Sequence, residues 1–222
     1  MDTNKRFLVR IIILGAVFLY IAYLAWQQLT RFDFTVIVSF FALFFLWTLI
    51  SEKLVYKAPD TYVIEDADNK SFLYLQLTFL IALFYAAIDF VELAFTRYKP
   101  LEPNIIYLGF ILFIISCLIR WWGYNSIGKF FNPRVALYEN HQLIIEGAYK
   151  KLRHPIYLGD VIGFIAITFI CNSWGALLII LLTTMPALIY RIRIEEEFLL
   201  NHFPEEYGPY LKNTKRLIPG IW

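Results

Sequence analysis

The segment IYLGDVIGFIAITFICNSWGALLIILLTTMPALIYRI, residues 156–192, decides the fold that the sequence predicts. It contains two apolar runs, Ile156–Ile170 and Trp174–Ile192, which are separated only by Cys171-Asn172-Ser173. Such a short joint between two helices is typical of an antiparallel helical hairpin. The start of the first helix must therefore lie beside the end of the second helix.

The rest of the chain is apolar enough to share a membrane with this hairpin. Of the 222 residues, 59% are hydrophobic and 17% are charged, whereas charged residues make up about 25% of soluble domains. About 20 apolar residues of helix cross a bilayer. Four further runs meet this length approximately: Phe7–Trp26, Phe34–Ile50, Phe72–Phe95 and Ile105–Trp122. We therefore predict an all-α, polytopic membrane protein with about six transmembrane helices, divided into N-terminal helices (1–104) and a core (105–222).

The distribution of positive charge predicts the orientation of these helices, because Lys and Arg are retained on the cytoplasmic side. With the N-terminus inside, the 20 Lys and Arg all fall on the cytoplasmic side except Arg31, Arg97, Lys99 and the intrahelical Arg120. We therefore expect a multi-pass protein with both termini and the active site on the cytoplasmic side. The loop Ser51–Lys70 has mixed charge and is predicted to be a solvated connector.

Composition and motifs exclude several classes of function. The net charge of +2 is too small for a nucleic-acid-binding surface. Cys117 and Cys171 both lie in apolar runs, so they form neither a disulfide scaffold nor a metal site. The sequence has no glycine-rich phosphate loop, which argues against a Rossmann-type domain. No metal is therefore expected.

Polar residues gather where the hairpin leaves the membrane. Pro155 lacks a backbone N–H and disfavours helical geometry at His154, so the fifth helix should begin there. At the other end of the hairpin, Arg191 and Glu195 lie four residues apart on one helical face. The antiparallel geometry places His154 and Tyr157 near Arg191 and Glu195. Charges and a histidine at a membrane rim indicate a functional site.

Several motifs in this half of the chain occur in an order that is characteristic of one family. They are Gly147-x-Tyr149, Arg153-His-Pro-x-Tyr157-x-Gly159, Arg191-x-x-x-Glu195-Glu196-x-x-Leu199-x-x-x-Phe203, Glu206-Tyr207-x-x-Tyr210 and Arg216-Leu-Ile-Pro219. In these motifs the chain resembles the isoprenylcysteine carboxyl methyltransferases and their phospholipid methyltransferase relatives. The resemblance implies S-adenosylmethionine as cofactor, a cytoplasm-facing cofactor pocket, and a lipophilic acceptor that enters from the bilayer.

The resemblance also assigns roles to individual residues. It places the cofactor against His141, Leu143, Ile144, Gly147, Tyr149, His154, Pro155, Tyr157, Glu195 and Glu196. Arg191 would face the acceptor, and Arg191 and Glu195 would be the catalytic residues. These roles suit the chemistry, because carboxylates and aromatic faces stabilise a sulfonium cation and an amino group. A guanidinium can hold an acceptor carboxylate as a planar fork.

The acceptor remains open at this point. A carboxylate, as in an isoprenylcysteine, a lipidated cysteine of a protein or another lipidic acid, is already ionised and needs positioning and exclusion of water. A phospholipid amine must lose a proton, and Glu195, Glu196 or His154 would then be the base. Leu158-Gly159-Asp160 and the closing segment 218–222 also resemble the C-terminal half of membrane sterol reductases, and this resemblance implies NADPH as cofactor. A transporter or scaffold is disfavoured because the motifs cluster at a rim rather than at the midplane.

A few other polar residues are interpreted as structural rather than functional. Tyr207 and Tyr210 are predicted to be packing anchors of a terminal helix on the membrane surface. Asp89 and Glu92 share a face of the third span and could pair with Arg120 in a structural contact. Asp160 could bond either a neighbouring helix or the site.

Overall fold

The computed structural model describes residues 3–55, 63–138 and 141–218. Within these ranges the chain forms α-helices and one small β-ribbon. The helices are α1 (Thr3–Gln28), α2 (Arg31–Val55), α3 (Ser71–Ile88), α4 (Asn104–Ile127), α5 (Pro155–Ile170), α6 (Trp174–Ile179), α7 (Met185–His202) and α8 (Pro204–Asn213). Strands β1 (Val63–Asp66) and β2 (Ala136–Tyr138) pair antiparallel, with Val63 opposite Tyr138 and Asp66 opposite Ala136.

Among the residues that the structure describes, five helical segments are long and apolar enough to cross a membrane. They are Ile11–Gln28, Arg31–Ser51, Ser71–Leu93, Asn104–Phe130 and Trp174–His202. Helix α5 is apolar but has only 16 residues, a length of about 24 Å at the usual helical rise. The all-α, polytopic fold predicted from the sequence is confirmed, and α5 is the shortest of its six apolar segments.

The last long segment is one continuous helix with a wider turn inside it. A π-helical turn, Ile180–Thr184, joins α6 to α7. Pro186 follows directly and lacks the N–H that a regular α-helix would use there, so the hydrogen-bond ladder is interrupted at this point. A second π-helical turn, Asp89–Leu93, ends α3.

The predicted hairpin between α5 and α6 is present. Asn172 adopts a left-handed conformation with φ of 45°, which reverses the chain direction. The hydroxyl of Ser173 accepts a hydrogen bond from the backbone N–H of Ala176 at 3.3 Å and so caps α6. As a result, α5 and the α6–α7 helix run antiparallel and bring the two ends of the sequence motif together.

Helices α4 and α5 pack closely because glycines lie at their interface. A Cβ atom at Gly109 would lie 2.6 Å from the backbone nitrogen of Ile170, and one at Gly159 would lie 2.4 Å from Cγ of Arg120. The freed space lets the Ser116 hydroxyl donate to the carbonyl of Gly159 at 2.7 Å. Small residues allow such backbone approach between membrane helices. The α4–α5 pair therefore forms a rigid support for the residues at its ends.

One end of the helical bundle is closed by a cluster that we name the far rim: Asp33, Asp89, Arg97, Glu102, Asn172 and Ser173. Arg97 donates through Nη2 to Asp33 at 2.5 Å and through Nε to Glu102 at 2.6 Å. Asp89 accepts hydrogen bonds from the hydroxyls of Ser173 and Thr96. These contacts tie α2, α3 and α4 to the hairpin.

The suggested pairing of Asp89 or Glu92 with Arg120 is therefore wrong. Arg120 Nε instead lies 3.1 Å from Asp160 Oδ1 of α5, because the close packing of α4 and α5 brings these two side chains together. This contact also answers where Asp160 points, since its partner is a neighbouring helix. Asp89 does make the structural contact that was expected, but with Thr96 and Ser173.

Candidate functional site

A cleft opens at the end of the bundle opposite the far rim, and we name this end the cleft rim. Its empty volume, including the part open to solvent, is about 750 Å³. The end of α4, β2, the segment before α5, α7 and α8 all contribute to it. The lining residues are Ile127, Phe130, Asn132, Arg134, Val135, Ala136, His141, Gln142, Leu143, Ile144, Tyr149, Arg153, Arg191, Glu195, Phe198, Leu199, Tyr207 and Tyr210.

The segment before α5 owes its path to a glycine. Gly147 has φ of +60°, a conformation that other residues adopt only with strain. A Cβ at this position would also lie 2.5 Å from the hydroxyl oxygen of Ser126 on α4. That hydroxyl accepts a hydrogen bond from the backbone N–H of Ala148 at 3.0 Å. Gly147 therefore shapes the turn that presents Tyr149 to the cleft.

The hairpin brings the predicted rim residues into one hydrogen-bonded chain. Arg191 donates from Nε to the Tyr157 hydroxyl at 2.8 Å, and Tyr157 donates to the Glu195 carboxylate at 2.5 Å. The expected proximity of Tyr157, Arg191 and Glu195 is confirmed. Because Tyr157 holds one oxygen of Glu195, the orientation of the Glu195 carboxylate beside the cleft is fixed.

Arg191 has a further partner from the N-terminal half of the chain. Its Nη1 atom donates to Asp68 Oδ1 at 2.7 Å and to the Ser71 hydroxyl at 2.9 Å, and Nη2 donates to the carbonyl of Pro133 at 2.5 Å. Asp68 is 7% exposed. The interpretation of 51–70 as a solvated connector is therefore wrong for Asp68, whose buried side chain accepts a hydrogen bond from the first turn of α3. Residues 56–62 lie outside the described residues.

The charge state of Asp68 follows from these contacts. Burial alone would raise the pKa of the Asp68 carboxyl, but hydrogen bonds from Arg191 and from the backbone N–H of Phe72 lower it further than burial raises it. The net pKa lies below the ordinary value of an aspartate. Asp68 is therefore a carboxylate at neutral pH and forms an ion pair with Arg191 at 2.7 Å.

A second charged cluster lies behind the cleft around Glu196. Its carboxylate accepts from Nε of Arg153 at 2.8 Å and from Nε of Arg216 at 2.9 Å, and lies 3.3 Å from Nε2 of His154. The chain after α8 is also held here, because the backbone N–H of Arg153 donates to the carbonyl of Lys215 at 2.8 Å. Glu196 therefore joins α5, α7 and the segment after α8.

The predicted cofactor residues separate into two groups. His141, Leu143, Ile144, Tyr149 and Glu195 line the cleft together with Arg191. Gly147, His154, Pro155, Tyr157 and Glu196 are not among the lining residues and support them from behind. The direct contact of this second group with a cofactor stays a prediction, and their observed contacts are to other side chains and to backbone.

Sequence reasoning missed a large part of the lining. Phe198 and Leu199 lie three and four residues after Glu195, so helical spacing could have placed both on its face. Asn132, Arg134 and Gln142 have no such signal, because they lie in the irregular chain around β2. Their position depends on the pairing of β1 with β2, which no sequence motif predicted.

Aromatic and imidazole groups in the cleft are shifted towards their neutral forms. Burial, with a smaller effect of nearby His202, lowers the pKa of His141. Burial and the neighbouring Glu195 raise the pKa of Tyr149 well above its usual value, and burial raises that of Tyr210 to about 12. The cleft therefore combines neutral rings with the carboxylate of Glu195.

Helix α8 closes the cleft with two tyrosines that sequence analysis assigned to packing. Both are buried, which fits that prediction, and both also line the cleft. The Tyr210 hydroxyl donates to the carbonyl of Tyr149 at 2.6 Å. The Tyr207 hydroxyl is buried and, among the described residues, has no hydrogen-bond partner. An unpaired buried hydroxyl at a cleft is a candidate contact for a ligand.

Comparison with known proteins identifies the part of the chain that carries these features. Residues 104–206 match the family model described as phospholipid methyltransferase. Over these residues, which are slightly less than half of the chain, the protein is similar to the phospholipid methyltransferases. The matched residues include α4, α5, α6 and α7, and with them the Arg191–Tyr157–Glu195 chain. Asp68 lies outside the matched region.

Curated relatives carry related names. The chain is 29% identical to a probable protein-S-isoprenylcysteine O-methyltransferase of Oryza sativa subsp. indica, over 52% of this chain and 61% of that protein. It is 30% identical to the protein-S-isoprenylcysteine O-methyltransferase of Schizosaccharomyces pombe, over 51% of this chain and 48% of that protein. It is 24% identical to the uncharacterized protein YpbQ of Bacillus subtilis, over 44% and 59%. The chain thus spans about half to three fifths of the length of these relatives.

A solved structure supports the fold over the whole chain. The structure of the eukaryotic intramembrane Ras methyltransferase, isoprenylcysteine carboxyl methyltransferase, superposes with a TM-score of 0.55. The match covers 100% of this chain and 88% of that one, at 19% sequence identity. The N-terminal helices, which lie outside the family match, therefore also have counterparts in a membrane methyltransferase fold.

Proposed function

We propose that this chain is an integral membrane, S-adenosylmethionine-dependent methyltransferase that acts on the carboxylate of an isoprenylcysteine or a similar lipidic acid. The observation that supports this proposal is the cleft at the cleft rim, which is lined by Glu195, Tyr149 and Arg191 of the sequence motifs. We further propose that this rim faces the cytoplasm, in agreement with the positive charges of the connecting loops.

The residues of the cleft fit this cofactor chemically. Glu195 offers a carboxylate for the amino group or the sulfonium cation, and Tyr149, Phe130 and Phe198 offer aromatic surface. The unpaired hydroxyl of Tyr207 offers one further polar contact. When bound, S-adenosylmethionine supplies a methyl group that is activated by the positive charge on sulfur.

The protein has little acid–base work to do if the acceptor is a carboxylate. Its side chains would orient the acceptor and exclude water, because a carboxylate is ionised at neutral pH. Arg191 supplies positive charge beside the cleft, and Tyr157 holds Glu195 in place. The apolar surfaces of the surrounding helices would accommodate the lipid part of the acceptor.

Methylation of a phospholipid amine is the second candidate, and the name of the matching family model favours it. An amine must lose a proton before or during transfer, so a base is needed. Glu195 is the cleft-lining carboxylate placed for that role. The two candidates therefore assign different work to the same residue, since with a carboxylate acceptor Glu195 only binds the cofactor.

The test is binding and turnover by the detergent-purified full chain. We expect titration calorimetry to show micromolar binding of S-adenosylhomocysteine and no binding of NADPH. Radiolabelled methyl transfer from S-adenosylmethionine to a prenylcysteine acid should exceed transfer to phosphatidylethanolamine. In Glu195→Gln, S-adenosylhomocysteine should bind about 10-fold or more weakly, because a charged partner is lost.

Three outcomes would change this conclusion. Binding of NADPH without S-adenosylhomocysteine would support the sterol-type reductase instead. Turnover of the phospholipid alone would select the second candidate. Binding of neither compound by a folded protein would reject the methyltransferase proposal.

A further inference from the structure

The hydrogen bonds of Arg191 limit what this residue can offer to an acceptor. A guanidinium has five N–H donors. Within the described residues four of them are used: Nε–H by Tyr157, both Nη1 hydrogens by Asp68 and Ser71, and one Nη2 hydrogen by Pro133. One hydrogen on Nη2 is left. The planar fork on an acceptor carboxylate needs two parallel donors, so this arrangement does not provide it.

Asp68 is the partner that fixes Arg191 in this arrangement. Its Oδ1 atom accepts from Arg191, from the Ser71 hydroxyl at 3.1 Å and from the Val135 backbone N–H at 3.3 Å. Its Oδ2 atom accepts from the Phe72 backbone N–H at 3.2 Å. Asp68 is thus anchored to α3 and to the chain beside β2 before it meets Arg191. A buried carboxylate with this many donors cannot turn away without leaving them unpaired.

We propose that Asp68 is a positioning residue of the methyltransferase site, which acts through Arg191. By holding Nη1, Asp68 aims Nε–H at the Tyr157 hydroxyl, and Tyr157 in turn holds Glu195. It also restrains Arg191 to a single free N–H, so that Arg191 offers the acceptor charge and one hydrogen bond. This inference rests on the function proposed above, and it adds a residue from outside the family region.

The experiment compares Asp68→Asn with the wild type as full chains in detergent. Asparagine keeps an amide oxygen that can accept from Ser71 and Val135 in place of Oδ1, but its NH2 group replaces Oδ2 and cannot accept from the Phe72 backbone N–H. The substitution also removes the negative charge beside Arg191. We expect kcat for a prenylcysteine acid to fall about 10- to 100-fold, because small misplacements at a reacting centre have effects of this size. The affinity for S-adenosylhomocysteine should stay within about twofold, because the Glu195 carboxylate itself is unchanged and is linked to Asp68 only through Arg191 and Tyr157.

Two further variants make the test specific. Glu65→Gln, in strand β1 three residues before Asp68, removes a negative charge that lies 3.1 Å from His202 Nε2 and should leave kcat unchanged. In the double variant Asp68→Asn, Arg191→Lys, kcat should equal that of Arg191→Lys alone, because a residue that acts through Arg191 has nothing left to position. A purely structural Asp68 would instead lower kcat of the double variant by its full separate factor.

The outcomes separate this inference from the proposed function. An active wild type whose kcat is unchanged by Asp68→Asn would overturn the positioning role alone. Loss of S-adenosylhomocysteine binding in Asp68→Asn would assign Asp68 to the fold and also overturn it. A folded wild type that methylates no acceptor would overturn the proposed function and this inference together.

Discussion

The two rims of the helical bundle are built from the same chemistry but differ in what they enclose. At the far rim, buried Arg97 lies between Asp33 and Glu102; at the cleft rim, buried Arg191 lies between Asp68 and Tyr157. Each rim also has a buried polar atom without a partner among the described residues, Asn172 Oδ1 and the Tyr207 hydroxyl. The cleft measures about 750 Å³, whereas the cavity beside Asn172 measures about 150 Å³.

Cavity size therefore distinguishes a candidate site from a structural joint better than buried charge does. Buried ion pairs occur in both roles, because any charge taken out of water needs a partner. The far rim holds loops and helix ends in place, and its cavity is much smaller than the cleft. The predictions below test this contrast by removing charge or hydroxyl groups from each rim.

The largest expected effect comes from removing an arginine at each rim. Arg97→Ala leaves two carboxylates without their cation and should lower the free energy of unfolding by about 3–5 kcal/mol. It should not change the affinity for S-adenosylhomocysteine, since Arg97 is remote from the cleft. Arg153→Ala should lower both the free energy of unfolding and the affinity for S-adenosylhomocysteine, because Arg153 donates to Glu196 and also lines the cleft. Thermal unfolding in detergent and titration calorimetry measure the two quantities.

The control for this pair is Arg31→Ala, which removes an exposed arginine at the start of α2. Its unfolding free energy should stay within about 0.5 kcal/mol of the wild type. If Arg97→Ala weakened the binding of S-adenosylhomocysteine as strongly as Arg153→Ala does, the division into a structural and a functional rim would be wrong.

An intermediate effect is expected from pH at the cleft rim. Because Asp68 has a lowered pKa in the folded protein, its contribution to stability is present above its unfolded-state pKa, about 3.9, and is lost as the pH falls through the lower folded value. At pH 7, Asp68→Asn should be less stable than the wild type by about 1–1.5 kcal/mol, the difference between charged and neutral hydrogen bonds. Thermal unfolding of both proteins from neutral pH down to pH values below 4 should show this difference disappear. A difference that stays constant over this range would argue against ionised Asp68.

The smallest effect distinguishes the two tyrosines of α8. Tyr207→Phe removes a hydroxyl without a protein partner, so stability should be unchanged while S-adenosylhomocysteine binds about fivefold more weakly, or about 1 kcal/mol. Tyr210→Phe removes a donor to Tyr149 and should lower stability by a similar amount. Calorimetry and thermal unfolding on the pair provide the measurement. Equal behaviour of both variants would show that the Tyr207 hydroxyl has no ligand role.

Local sequence pattern was sufficient for the helices and for the residues that neighbour the hairpin. The apolar runs predicted the membrane segments, and the short joint at Asn172 placed Tyr157 beside Arg191 and Glu195. These inferences succeed because they depend on periodicity and on a short loop. The division of the chain at residue 104 stays a prediction.

Contacts between distant segments were not predictable in the same way. Asp68 meets Arg191 across 123 residues of sequence, and its mixed-charge surroundings are typical of exposed loops. Glu196 was interpreted as a cofactor contact because it follows Glu195, yet one residue of helix turns it by about 100° to face Arg153 and Arg216. The partner of Arg120 was misassigned because the closeness of α4 and α5 depends on glycines in both helices.

The attachment of the chain after α8 has a consequence for biogenesis. The backbone N–H groups of Arg153 and His154 donate to the carbonyls of Lys215 and Arg216, so the entrance of α5 is completed by a segment translated some sixty residues later. While the hairpin is being inserted, Glu196 and Arg153 lack their contacts with the segment after α8. The cleft can therefore mature only after the hairpin has entered the bilayer and α8 has folded back. Membrane insertion and ligand competence are separate stages in the life of this chain.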